Sequence, residues 1–187
     1  MGALDMGLKE SELPDLISDW RNANPNIVQY WRDVENAAIQ TVTDHREHRV
    51  RYIAFRFEAN TLWMVLPSGR RIAYANPRLQ PNRFGRMALT FEGTDKANGW
   101  SRQETYGGRA VENATQAIAR DLLTAAMWRL EQAGFNIVAH VHDEVILEAE
   151  PRDTVEKVSR IMGECPKWAD GLLLRADGYE CEYYRKD

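Results

Sequence analysis

The feature of this sequence that most limits its fold is a long helical pattern that runs directly into two strand-forming segments. No Gly or Pro occurs from residue 110 to residue 133, and apolar residues recur every four positions there, which predicts one long helix. Gly134 follows as a typical C-terminal cap. The runs FNIVAHV and EVILEA come next and predict a β-hairpin that turns at His142 and Asp143. The helix face comprises Ile118, Leu122, Ala126 and Leu130, and in the first strand Ile137, Ala139 and Val141 alternate with Val138, His140 and His142.

The first half of the chain changes from helical to strand periodicity near residue 50. Apolar residues at helical spacing predict one helix over residues 11–24 and, after the break NPN, a second from residue 27 to about residue 44. The short runs YIAFRF, TLWMVLP, RRIAYA and MALTFEG then predict strands. Within them, LPSGRRIAY predicts a hairpin that turns at Ser68 and Gly69. These patterns indicate an α+β fold.

The C-terminal part of the sequence predicts three more elements. Residues 152–163 show the apolar spacing of a short amphipathic helix, and the runs LLLRA and YECEYY predict two closing strands. We therefore expect three segments along the chain: helices in residues 1–50, a basic β-hairpin insert in residues 51–105, and a mixed helix and hairpin segment in residues 106–187.

Composition indicates a globular protein outside membranes. No apolar run approaches the roughly 20 residues that a membrane-spanning helix needs, and the N-terminus lacks the basic and apolar regions of a secretion signal. A cytoplasmic location is therefore expected. Two cysteines are too few for a disulfide scaffold, and we expect Cys165 and Cys181 to be buried, reduced thiols.

Charge is distributed unevenly along the chain. Residues 46–109 contain 12 Lys and Arg against 5 Asp and Glu, a net charge of +7, whereas the remaining residues contain 12 against 23, a net charge of −11. A solvated basic surface is one interpretation. The size of the difference also favours an anionic ligand that binds the middle segment.

The predicted turn in HVHDEVILE places three titratable residues side by side, namely His142, Asp143 and Glu144. An aspartate in a tight turn usually serves the turn itself by bonding to the local backbone. A carboxylate at a strand turn can also hold divalent cations for phosphoryl transfer, provided that a second carboxylate faces it. The residue pattern identifies no such partner for Asp143.

A zinc-dependent hydrolase is an alternative interpretation of the same turn. His140 and His142 form an H-x-H pair that can bind zinc, with Asp143 as a third ligand. His45 and His48, on or near the end of the predicted second helix, are other candidates for the third position. This alternative predicts tight zinc retention.

A longer stretch adds a family resemblance. Residues 100–153 resemble the C-terminal palm region of family A DNA polymerases, the DNA polymerase I type, in their phage-like branch. VHDEVILE is similar to the third polymerase motif of that family, and QAIARDLL to the helix that precedes it. LPSGRRIAYANPRL and ALTFEG resemble the hairpin insert, and RNANPNIVQYWRDVE resembles helices of the fingers. The resemblance thus covers nearly the whole chain.

The resemblance implies a role for several residues. It makes Asp143 a ligand of catalytic Mg²⁺ in a two-metal site, with Glu144 as an auxiliary catalytic carboxylate. Gln116 would test base-pair geometry in the minor groove, where all Watson–Crick pairs present an acceptor in nearly the same place, and His142 would support the primer terminus. The implied DNA-binding residues are Gln116, His142, Arg109, Asn113 and Arg102, and Arg70, Arg71 and Arg78 could meet phosphates on the insert.

The resemblance also implies which parts and partners the chain needs. The family's earlier aspartate motif, with the second metal ligand, and its nucleotide-binding helix have no counterpart in the sequence. We therefore expect fingers helices in residues 1–50 and a palm subdomain in 106–187, inactive without the N-terminal remainder of a polymerase. Primer-template DNA and deoxynucleoside triphosphates are the expected ligands, and self-association through an exposed apolar face is a further expectation. A non-catalytic DNA-binding fragment remains an alternative.

Overall fold

The computed structural model describes residues 7, 9–95 and 99–184 and confirms an α+β chain. The chain divides into two compact units. The first comprises Met1–Val65 and Arg71–Asn113, and the second comprises Leu66–Arg70 and Ala114–Asp187. Among the described residues, no helix has both the length and the apolar character required to cross a bilayer. The predicted N-terminal segment includes residues 1–6 and 8, which lie outside the described residues.

The first unit begins with the two helices that the periodicity predicted. These are α1 (Leu13–Ala23) and α2 (Pro25–Asp44), and each has a proline in its first turn, where no intrahelical amide bond is lost. Trp20 and Trp31 stack between them with ring centroids 5.6 Å apart. This prediction is confirmed.

A six-stranded antiparallel sheet follows, in which each strand pairs with the next along the chain. The four predicted strand runs and the turn at Ser68 and Gly69 are confirmed, and Gly69 has the positive φ of 87° that this turn uses. The sheet is larger than the predicted hairpin insert, because it also contains two edge strands that the sequence did not predict. The strands are β1 (His48–Val50), β2 (Ile53–Glu58), β3 (Thr61–Val65), β4 (Arg71–Pro81), β5 (Met87–Asp95) and β6 (Gly99–Thr105).

Helix α2 packs against the sheet to form the core of the first unit. Its buried face contains Val34 together with the small residues Ala37 and Ala38, which allow a close approach to the strands. Burying a side chain such as Val34 stabilises the fold by about 1.5–3 kcal/mol. The sheet contributes Phe55, Leu62, Met64 and Tyr74, all at 2% exposure or less.

The second unit contains the predicted long helix and hairpin. Helix α3 (Gly107–Gln132) starts in the first unit and continues into the second, and it leads to β7 (Asn136–Val141), β8 (Glu144–Glu148) and α4 (Val155–Met162). Gly134 ends α3 with φ 86°, donating to the Glu131 carbonyl, while Phe135 donates to the Leu130 carbonyl. These are the two hydrogen bonds of a Schellman cap. The predictions of α3, its cap, the hairpin and α4 are confirmed.

Arg129 on α3 fastens α4 to the second unit. Its guanidinium donates to the carbonyls of Ile161, Met162 and Glu164 at 3.0, 3.3 and 2.7 Å. The last carbonyls of a helix have no intrahelical partner, so Arg129 satisfies them at the end of α4. Arg129 and the contact of Lys157 on α4 with the Phe135 ring therefore both help to fix the orientation of α4.

Three predictions in the C-terminal part are wrong. LLLRA and YECEYY form no strand, because neither finds a partner strand in the described chain, and the sheet of the second unit contains only β7 and β8. Strict alternation in β7 also fails, since Val138 lies at a register shift between Ile137 and Ala139, which changes the faces of the residues around it. Cys165 and Cys181 are free as expected, but they are exposed because they lie in irregular segments after α4.

Gly107 is expected to be essential for joining α3 to α2. A Cβ added at Gly107 would lie 1.9 Å from the Trp31 carbonyl oxygen, so Gly107→Ala must move backbone. We expect the free energy of unfolding to fall by about 3 kcal/mol, measured by urea denaturation. The matched control is Gly108→Ala, whose Cβ meets only side chains at 3.1 Å or more; it should stay within about 1 kcal/mol of the native chain. Equal loss in both variants would contradict the prediction.

Candidate functional site

The β7–β8 turn presents Asp143 at its apex. Val141 pairs with Glu144, so the loop consists of His142 and Asp143 alone. His142 has a left-handed φ of 52°, a conformation that is uncommon for residues other than glycine. His142, Asp143 and Glu144 are all exposed. The hairpin thus brings together the three residues that the sequence singled out.

Glu144 has a partner that the sequence analysis did not identify. The Tyr184 hydroxyl donates to a Glu144 carboxylate oxygen at 3.2 Å. Partial burial and, after it, the hydrogen bond and negative charge of Glu144 raise the pKa of Tyr184 above its ordinary value. Because the hydroxyl stays protonated at neutral pH, it remains a donor that orients Glu144 beside Asp143.

The side chains do not support the predicted three-ligand zinc site. Two guanidinium nitrogens of Arg120 lie 3.2 and 3.1 Å from the two ring nitrogens of His140. A cation at this distance opposes the binding of a second cation by repulsion. Among residues 7, 9–95 and 99–184, no group of three His, Cys, Asp or Glu side chains could hold a metal.

The two remaining histidines have other contacts in the first unit. His45 lies just after the end of α2, with φ 57°, and stacks on Phe57 with centroids 4.1 Å apart. His48 lies in β1 and contacts the Asp44 carboxylate at 2.9 Å. Neither belongs to a three-residue ligand group in the described part of the chain.

Zinc binding gives a direct test of this geometry. We expect calorimetric titration of the chain with ZnCl₂ at pH 7 to show no stoichiometric site of the kind found in zinc proteins, where apparent binding free energies reach about 10–16 kcal/mol. The heats should be the same for His140→Ala. A one-to-one site that disappears in His140→Ala would restore the zinc interpretation.

The residues predicted to contact duplex DNA on α3 lie in different surroundings. Gln116 and Arg109 are exposed. Asn113 is half-buried and donates to the Tyr74 hydroxyl at 3.2 Å. Burial of Tyr74 raises its pKa, although the Asn113 hydrogen bond and the Arg109 charge oppose the shift. Asn113 therefore connects α3 to the sheet, and its contact with DNA stays a prediction.

Arg102 belongs to a polar network inside the first unit. It donates to Glu92 at 2.7 Å, to the Asn76 carbonyl at 3.0 Å and to the Thr90 hydroxyl at 3.2 Å. Asn76 lies where the β4–β5 register shifts, has a φ of 46°, and also bonds to Glu92 and to Asn60. We call Asn60, Asn76, Glu92 and Arg102 the Asn76 network. The hydrogen bonds of this network occupy guanidinium N–H groups that Arg102 would otherwise donate to DNA.

The Asn76 network also lowers the pKa of Glu92, its only carboxylate residue. The hydrogen bond from Asn76 and the positive charge of Arg102 hold the pKa of Glu92 below its usual value, against the opposing effect of partial burial. Because the pKa of Glu92 is lower in the folded chain than in the unfolded chain, its contribution to the free energy of unfolding is fully present at pH values above the unfolded pKa. This contribution is lost as the pH falls through the folded pKa.

The arginines predicted to meet phosphates on the insert are also partly engaged. Arg70 pairs with Asp121 and donates to the Ala117 carbonyl at 2.7 Å within the second unit. Arg71 pairs with Glu58 at 3.0 Å. Arg78 is exposed on β4. The structure thus distinguishes arginines that hold the fold from those that face solvent.

Arg102→Ala tests the structural role of the Asn76 network. Arg102 is 24% exposed and makes three hydrogen bonds, so we expect its loss to lower the free energy of unfolding by about 1–3 kcal/mol. Arg109→Ala serves as a control, because Arg109 is exposed and its carbonyl contact at 3.4 Å is long. It should change stability by no more than about 0.5 kcal/mol. An unchanged unfolding curve for Arg102→Ala would exclude the structural role.

Sequence reasoning missed three residues that shape the candidate site. Arg120 positions His140, Tyr184 orients Glu144, and Tyr74 holds Asn113. A signal existed for Arg120, since it follows Gln116 by four residues and therefore shares its helix face. No comparable signal existed for the two tyrosines, whose partners lie about 40 residues away along the chain.

The chain is similar to a DNA polymerase of Bacillus phage SP02. The two are 49% identical over 191 residues, a match that covers all of this chain and 29% of that polymerase. No family model matches the chain, and no solved structure matches it. The chain spans less than a third of the length of the relative. It is therefore homologous to part of a phage DNA polymerase.

Proposed function

We propose that this chain forms the C-terminal fingers and palm portion of a family A DNA polymerase and takes part in template-directed DNA synthesis. The observation that carries the proposal is the 49% identity to the phage SP02 DNA polymerase over the whole chain. The motif VHDEVILE and its position in a two-residue hairpin turn support the assignment of the palm.

Asp143 is the proposed metal ligand. Its carboxylate is exposed at the turn, and Mg²⁺ prefers oxygen ligands, keeps several waters and needs only one or two carboxylates. The absence of a three-ligand cluster among the described residues is compatible with a site to which this chain gives one carboxylate. The second aspartate would come from a segment outside this chain.

The surrounding residues would prepare the turn for this role. Magnesium, when bound, would stabilise the charge that develops on the attacking 3′ oxygen and on the pyrophosphate. Glu144, held by Tyr184, would add negative charge beside Asp143. His142, fixed in the turn by its left-handed backbone, would support the primer terminus.

Gln116 and Arg109 are the strongest proposed duplex contacts on α3. Both are exposed, and a glutamine amide can donate to the minor-groove acceptor that every base pair presents. Asn113 would act mainly by holding α3 against Tyr74. Arg102 would act through the Asn76 network rather than by touching DNA.

The activity would require the rest of a polymerase. The matched region is 29% of the relative, and the second unit exposes apolar side chains, with Leu173 at 98% exposure and Val138 at 50%. We propose that the remaining polymerase segments cover such residues. Self-association of this chain alone would be the competing way to cover them.

A chimeric polymerase tests the proposal. This chain would replace the matched region of the phage SP02 DNA polymerase, and primer extension would be followed with Mg²⁺ and all four deoxynucleotides. We expect extension by the chimera and a loss of at least about a thousandfold in kcat for Asp143→Asn, since the metal ligand is removed. Asp177→Asn is the matched control, because Asp177 is exposed and pairs only with a neighbouring arginine in the described structure.

Two outcomes would contradict the proposal. One is a folded chimera that binds DNA but extends no primer. The other is a chimera in which Asp143→Asn and Asp177→Asn have the same activity. The first outcome would leave a non-catalytic DNA-binding fragment as the better account.

A further inference from the structure

The two central strands β4 and β5 extend beyond the strands on either side of them. Ala75 is the last residue of β4 that pairs with β3, and Leu89 is the last residue of β5 that pairs with β6. Because Leu89 pairs with Leu79 on β4, residues 80–88 form a two-stranded ribbon without a flanking strand in the described sheet. We call residues 80–88 the β4–β5 arm and residues 82–86 its tip.

The tip is held in one conformation by its own hydrogen bonds. The Asn82 side-chain oxygen accepts from the backbone amides of Phe84 at 2.9 Å and Arg86 at 3.1 Å. Asn82 also donates to the Arg86 carbonyl at 2.8 Å, and Gly85 adopts a φ of 73° that closes the turn. An arm ordered in this way loses little conformational entropy when it binds a partner.

The strands that lead into the arm are fixed as well. The Asn76 network lies below the arm, where Asn76 bonds to residues of β5 and β6 and to Asn60 just before β3. Ala88, which pairs with Gln80 at the start of the arm, is buried. The direction of the arm is thus set by the sheet.

The exposed surface of the arm is basic and carries an aromatic ring. From residue 77 to residue 91 the sequence contains three arginines and no Asp or Glu. Arg78, Arg83 and Arg86 are exposed, and Phe84 is 72% exposed with the Arg83 guanidinium 4.7 Å from its ring centroid. A ring so exposed contributes little to the core and is accessible to a partner.

We infer that the β4–β5 arm binds double-stranded DNA, with Arg83 and Arg86 on backbone phosphates and Phe84 packed against the sugar and base surface of a groove. A two-stranded ribbon fits the major groove of B-form DNA, and arginines without acidic neighbours complement its phosphates. The choice of duplex DNA rests on the proposed function, whereas the charge and shape of the arm are independent of it. This contact is separate from Asp143 and Gln116 along the chain.

The test is fluorescence anisotropy of the full chain with a labelled 20-base-pair duplex over a series of salt concentrations. We expect Arg83→Ala/Arg86→Ala to weaken binding by about tenfold or more at 0.1 M salt and to reduce the slope of log K against log salt by about 2, since each phosphate contact contributes about 0.9. Phe84→Ala should weaken binding by about fivefold and leave the slope unchanged, because it removes no charge.

A charge-matched control separates the arm from a general effect of net charge. Arg152→Ala/Arg175→Ala removes two exposed arginines from the second unit and should leave the slope unchanged. Equal loss in the control pair, or native binding by both arm variants, would overturn the inference. If Phe84→Ala weakened binding to single-stranded DNA more than binding to the duplex, the packing of Phe84 in a groove would also be overturned.

The binding experiment and the chimera experiment can fail independently, so the arm and the polymerase role are tested separately. An active chimera together with native DNA binding by the arm variants would reject the arm but keep the polymerase role. An inactive chimera together with reduced duplex binding by the arm variants would support the arm and reject the polymerase role. Thermal unfolding of each variant should match that of the native chain, because every substituted side chain is exposed.

Discussion

The packing of α2 across one face of the six-stranded sheet is the interaction on which the first unit depends. An antiparallel sheet is stable when one face is covered, and α2 supplies that cover through Val34 and two alanines. The same helix receives the start of α3, where Gly107 approaches the Trp31 carbonyl too closely for any side chain. The sheet and the first turn of α3 are therefore both positioned by α2.

The sheet also explains why the middle of the chain can be basic without being unstable. Several of its arginines are neutralised within the fold: Arg56 pairs with Glu47, Arg71 with Glu58, and Arg102 with Glu92. The more exposed pairs, Arg56–Glu47 and Arg71–Glu58, contribute little to stability, whereas the part-buried Arg102–Glu92 pair belongs to the Asn76 network. All three pairs reduce repulsion among the arginines. Arg83 and Arg86, where β4 and β5 extend beyond their neighbours, are exposed and take no part in these pairs.

Periodicity identified the helices and central strands because each of these segments is long enough to repeat its pattern. The edge strand β6 was missed because GWSRQET shows little hydrophobic alternation, and its pairing with β5 depends on the partner strand rather than on its own sequence. The prediction of a strand at LLLRA was wrong for the opposite reason. It has the composition of a strand, with Leu173 fully apolar and 98% exposed, but a strand needs hydrogen bonds from a neighbour. Tertiary pairing thus decided the edges of both sheets.

In the candidate site too, local sequence predicted the turn, but it could not predict contacts with residues distant along the chain. The turn at His142 and Asp143 could be predicted because the two runs beside it are strand-forming and the loop is short. The surroundings of that turn could not, since Tyr184 reaches Glu144 from 40 residues away. The guanidinium of Arg102 is engaged by Asn76, Thr90 and Glu92, and its contact with DNA stays a prediction. A residue that holds the strands below an arm can affect DNA binding without contacting DNA, so stability and affinity must be measured together to separate the two roles.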